Sequence, residues 1–164
     1  MALLLAGGAA RAAEPDGAVQ LAGLFMQSCL TFAGDAAGLR QWARGMGLPE
    51  VSEPARRAFL NGADGTVFDA SNRYGKFVII SADRGSCSAV TNDADGQSVV
   101  AALEADFSTA GIQLRLTGER DDAQESGLLY RDYAADRDRR RWRIVAATVK
   151  AQKAGQAMLT ADAE

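Results

Sequence analysis

The stretch that decides the fold is GTVFDASNRYGKFVIISADRGSCSAVT, residues 65–91. Apolar and polar residues change here to a period of two, which puts alternate side chains on opposite faces of a sheet. Three short strands are expected, over residues 66–70, 76–82 and 86–91. Ser71-Asn72 and Asp83-Arg84-Gly85 supply the turn residues between them. Phe77-Val78-Ile79-Ile80 is apolar on both faces, as in a strand covered on both sides.

Upstream, the period is helical. Leu21, Phe25, Cys29 and Phe32 fall on one face of a helix expected over residues 16–32. Asp35 is placed to cap a second helix whose stripe is Leu39, Trp42, Ala43 and Met46, and Gly47 and Pro49 end it. Ser52-Glu53-Pro54 would open a short third helix ending near Gly62. Downstream, Asp95-Gly96 opens a helix that buries Val99, Val100, Leu103 and Phe107 and stops at Gly111. Ile112, Leu114 and Leu116 then alternate with Gln113, Arg115 and Thr117, and further strands are expected over 128–134, 141–150 and 156–161. The order ααα-βββ-α-ββββ with short turns favours an α+β fold: an antiparallel sheet with the helices mainly on one face.

The N-terminal segment MALLLAGGAARAA, residues 1–13, is apolar, and Ala10-Arg11-Ala12 fits the small-x-small rule for signal peptidase. It is too short to span a bilayer, which takes about 20 residues. We expect a signal peptide over 1–12, one α+β domain over 13–164, and a periplasmic or secreted location. No Lys or Arg precedes the apolar run, which leaves open a start upstream of Met1. An oxidising compartment would allow Cys29 and Cys87 to form a disulfide; two separate buried thiols are the alternative.

The chain has 164 residues, 48% apolar and 24% charged, with a net charge of -3, the composition of an ordinary globular domain. Such a balance gives no field that would attract nucleic acid. Of its 18 basic residues only Lys76, Lys150 and Lys153 are not arginine, a bias that a GC-rich genome also produces. There is no histidine, which removes Ser-His-Asp and Cys-His catalysis and imidazole metal sites. Two cysteines cannot build a closed zinc site. No metal site and no cofactor is expected.

The remaining motifs are weak. Thr91-Asn92-Asp93-Ala94-Asp95-Gly96 has oxygen ligands on alternate residues, but Ala102 stands where a calcium loop needs its bidentate Glu. Gly62-Ala63-Asp64-Gly65 lacks the ending of a phosphate loop and precedes a strand. Asp69, Asp83, Glu119, Asp121 and Asp122 could serve a carboxylate hydrolase only if two of them met. Arg137, Arg139, Arg140, Arg141 and Arg143 surround Trp142, but Asp132, Asp136 and Asp138 largely neutralise them. If Leu114 and Leu116 face the helices, Arg115 faces away. By the same alternation Arg131 and Tyr133, then Arg141 and Arg143, are expected beside it, as a patch suited to planar anions.

The helix with Phe25 and Cys29, the Trp42 helix, and the strands through Phe68, Phe77 and Cys87 resemble small exported proteobacterial proteins of unassigned function. The likeness covers about the first 90 residues and implies export and a Cys29–Cys87 bridge, with no catalytic residue. The expectation is a non-catalytic binding module for a protein, an envelope component or an anionic small molecule. A hydrolase working without His, or a structural or secretion-associated subunit of an envelope assembly, are the alternatives.

Overall fold

The computed structural model describes residues 16–124, 127–150 and 154–164. The expected signal peptide, residues 1–12, lies outside the described residues.

The first helix, α1 (Gly17–Phe25), begins where Asp16 accepts a 3.0 Å bond from the Val19 N–H. It does not run on as a uniform α-helix to residue 32. A π-helical segment follows over Met26–Leu30, so the expected element order is not matched in detail. Its three successive side chains Ser28, Cys29 and Leu30 are all buried. The Ser28 hydroxyl donates to Leu24 O and the Thr31 hydroxyl to Met26 O, holding the carbonyls of the distorted turn.

Helix α2 (Ala36–Gly45) is capped by Asp35, and α3 (Glu53–Leu60) ends on Asn61 in the left-handed region. Strands β1 (Gly65–Asp69), β2 (Phe77–Ala82) and β3 (Cys87–Asp95) follow, then α4 (Gly96–Thr109) capped by Asp95. Strands β4 (Gln113–Asp121), β5 (Leu128–Arg137), β6 (Arg140–Val149) and β7 (Ala154–Ala163) complete the chain. The calcium-like run is a β-bulge between Thr91 and Ala94, after which Asp95 serves as the helix cap. Gly96 sits where a Cβ would lie 2.8 Å from Val149 O, so the start of α4 presses onto β6.

All seven strands form one antiparallel sheet in the order β1-β2-β3-β7-β6-β5-β4. The α+β class and the antiparallel sheet expected from the sequence are therefore present. Residues paired across the sheet share a face. One such row runs Ser81, Cys87, Ala161, Ile144, Tyr133 and Leu116. This face carries the core: Phe77, Ile79, Ile144 and Leu159 are at most 1% exposed beneath Leu21, Phe25, Leu103 and Phe107 of the helices. Each such side chain contributes roughly 1.5–3 kcal/mol on burial.

Three helices share this face. The disulfide Cys29–Cys87, with Cα atoms 5.0 Å apart, ties the first helix to β3. Arg40 of α2 donates to Ser81 Oγ and O and pairs with Asp83. Helix α3 is the exception, since its Phe59 shares a cavity with Val78 and Val90, which point the other way.

The bridge closes a loop with a sequence separation of 58. Chain entropy values such a loop at about 4 kcal/mol. Urea unfolding of the Cys29→Ser/Cys87→Ser variant should show a loss approaching that figure, and reductant should move the midpoint of the native protein but not of the variant.

Candidate functional site

The side of the sheet away from α1, α2 and α4 is covered only over β1 and β2, by α3. Across β7, β6, β5 and β4 no helix of the described residues lies on it. Three rows of paired residues cross this open region. The first runs Met158, Ala147, Tyr130 and Arg120, and the second Thr160, Val145 and Asp132. The third is Asp162, Arg143, Ala134 and Arg115, and Arg141 stands opposite Asp136 beyond it. The contrast with the helix side is sharp. Trp142, Ile144, Ala146 and Leu159 are 0–2% exposed, whereas Arg141 and Arg143 are exposed and Val145 and Met158 half-buried.

Electrostatics organise this surface around Asp132, whose side chain is 19% exposed. It accepts from Arg143 at 3.1 Å and pairs with Arg120 at 3.4 Å. The Arg120 guanidinium also lies over the Tyr130 ring, 4.4 Å from its centroid. Arg115 faces Asp136 at 3.7 Å, while Arg141 makes no ion pair among the described residues. The face is thus a band of apolar and small side chains beside arginines held flat by carboxylates.

The structure brings together only part of the expected patch. Arg115, Arg141 and Arg143 do share the open face. Arg131 and Tyr133 do not, because Tyr133 pairs with Leu116 and Ile144, both on the helix side. Arg131 is bound to Glu119 at 2.8 Å on that side. Tyr133 is 3% exposed, and burial, reinforced by the charge of Glu104, pushes its hydroxyl above the ordinary phenol value. In their place stand Tyr130 and Asp132, one residue out of step. The signal was the pair Tyr133 and Ala135, which continues the buried alternation of β5.

Other arginines of the basic cluster have local work. Arg137 donates to Ala110 O at the end of α4 and Arg140 to Thr31 O beyond the π-helical segment, where cations oppose the helix dipoles. The five carboxylates considered for hydrolysis are engaged one by one. Asp69 accepts from Ser71, Asp83 pairs with Arg40, Glu119 with Arg131 and Asp121 with Lys150, and Asp122 accepts from the Gln124 N–H. No cluster of three metal-ligating side chains exists among the described residues.

No family model, curated protein or solved structure matches this chain. The geometry alone therefore carries the functional reading.

The two sides of β5 and β6 should respond oppositely to truncation. Tyr133→Ala removes a buried ring and should cost roughly 3–5 kcal/mol. Arg143→Ala breaks an exposed pair and should cost less than about 1 kcal/mol. Urea denaturation of both variants checks the assignment of faces.

Proposed function

We propose that the chain is an exported, non-catalytic binding module whose partner is a protein that docks on the open face of β4–β7. The observation that carries this reading is the composition of an uncovered surface. Met158, Tyr130, Val145 and four arginines, Arg115, Arg120, Arg141 and Arg143, stand on one face of the sheet. Arg, Tyr and Met are the residues that protein interfaces favour, because they bury apolar area while keeping a polar group for the rim. A fixed sheet holds them in place, which limits the entropy lost on docking.

A small anion is less well served here. Arg120 and Arg143 already share Asp132, and Arg115 faces Asp136. An anion would have to displace those carboxylates before it gained a bidentate contact. A protein partner can instead keep the pairs intact and extend them with charges of its own. Export is supported by the small and apolar residues 2–10 ahead of Ala10-Arg11-Ala12 and by the disulfide, which persists in oxidising compartments.

The test is photo-crosslinking in the producing cell. A benzoylphenylalanine at Thr160, on the open face, should yield a discrete protein adduct, and the same probe at Arg57, on the exposed side of α3, should not. The adduct should fall at least tenfold when Arg120 and Arg143 are both changed to Glu. Equal adducts from both positions, or none from Thr160, would remove this reading. Intact mass of the protein recovered from the envelope fraction should show a start near Ala13, and a retained Met1 would contradict cleavage after Ala12.

A further inference from the structure

On the opposite side of the molecule, α1, α4 and the turn between β1 and β2 line a half-open cavity of about 330 Å³. Its wall on α4 holds Asp106, and the facing wall holds Gln20 and Gly23 of α1 and Gln27 of the π-helical segment. Asn72 of the turn and the edge of Phe77 close it. The turn is fixed by paired backbone bonds between Asn72 and Gly75. The Asn72 Oδ1 accepts from the Tyr74 N–H at 2.8 Å, which leaves its amide NH2 as the free donor.

Two features of this cavity stand out. Asp106 forms neither a side-chain hydrogen bond nor an ion pair among the described residues, and burial alone raises its pKa above the ordinary value. Asp106 is half-buried, so its carboxylate has lost part of its hydration, and a positive charge beside it would offset that loss. Gly23 is the second feature. It sits inside α1, where glycine is unfavourable relative to alanine, yet it does not have a positive φ. A Cβ built on it would meet no atom within 4 Å. Neither backbone conformation nor packing requires glycine there; its effect is to keep the α1 wall of the cavity flat.

We propose that this cavity binds a small organic ammonium ion. The ammonium donates to the Asp106 carboxylate, and the carbon body lies along the bare α1 backbone at Gly23, with Val19 at the rim. The amides of Gln20, Gln27 and Asn72 are left to meet an acceptor group on a larger ligand. One carboxylate among neutral amides is a poor set for a metal ion, which favours several charged or carbonyl oxygens. An anion would be repelled by the same carboxylate. The site lies on the helix side of the sheet, away from the docking face, so the two proposals stand or fall separately.

Backbone NMR shifts of the 15N-labelled protein, titrated with n-butylammonium chloride and separately with 1-butanol, test it. The ammonium should give saturable shifts at Gly23, Gln27 and Asn72, and 1-butanol should not. Asp106→Asn should weaken the response at least tenfold without lowering Tm, since it removes an unpaired charge and keeps the shape. Gly23→Ala should abolish the response while raising Tm, because alanine favours the helix and its methyl enters the cavity. Gain of stability with loss of binding cannot be read as misfolding. Equal shifts from 1-butanol, an unchanged affinity in Asp106→Asn, or no saturable shift at these residues in the native protein would each overturn the proposal.

Discussion

The Cys29–Cys87 bridge fixes the helix layer to one side of the sheet, and the asymmetry of the molecule follows from that attachment. Cys87 belongs to the row that continues through Ala161 and Ile144 to Tyr133, so the side it faces must be the side that α1 covers. Period two then sends Arg141, Arg143 and Val145 the other way. The covalent tie adds to a packed core rather than replacing one: Phe25, Ile79, Leu103 and Leu159 are fully buried around it. The π-helical segment belongs to the same arrangement, since Cys29 and its two neighbours are buried in it.

Coverage of the second side is what separates the filled part of that face from the part proposed above to dock a partner. Helix α3 spends its apolar face on β1 and β2, where Phe59 approaches Val78 and Val90. Among the described residues no helix does the same for β4–β7, and the polar residues there pair among themselves instead. Asp132 lies at the centre of these pairs, since it holds two guanidinium groups close to the sheet and keeps the middle of the face apolar and accessible. Strand β4 is the outer edge of this region. Its bulge between Leu116 and Gly118 and its charges at Arg115, Glu119, Arg120 and Asp121 are devices that discourage unspecific strand pairing.

Much of the fold is legible in the sequence where chemistry is local. Asp35 and Asp95 cap helices as their spacing implies, and the 65–91 stretch does divide into three antiparallel strands. The cysteine pair is legible because its two flanking patterns place one member on a buried helix stripe and the other in a strand. The π-helical segment is not, since one extra residue in a turn leaves the apolar stripe nearly intact. The parity of β5 was lost for a different reason. Leu128-Leu129 begins the strand with two apolar residues, and Arg131 and Tyr133 have amphipathic side chains that suit either face. Only the pairing partners Leu116 and Ile144 decide it, and they are remote in sequence. The position of α3 is equally non-local, because it depends on which way the chain crosses the sheet edge after Pro49.

The central claim, that the open face is occupied in the protein's working state, is tested most directly by hydroxyl-radical footprinting inside the producing cells against the isolated protein. Met46, at the end of α2 and 61% exposed, provides the internal reference. Met158 and Tyr130 should be oxidised in the isolated protein and protected in the cell, with Met46 reacting equally in both. Equal reactivity of Met158 and Tyr130 in the two settings would show that nothing docks on this face.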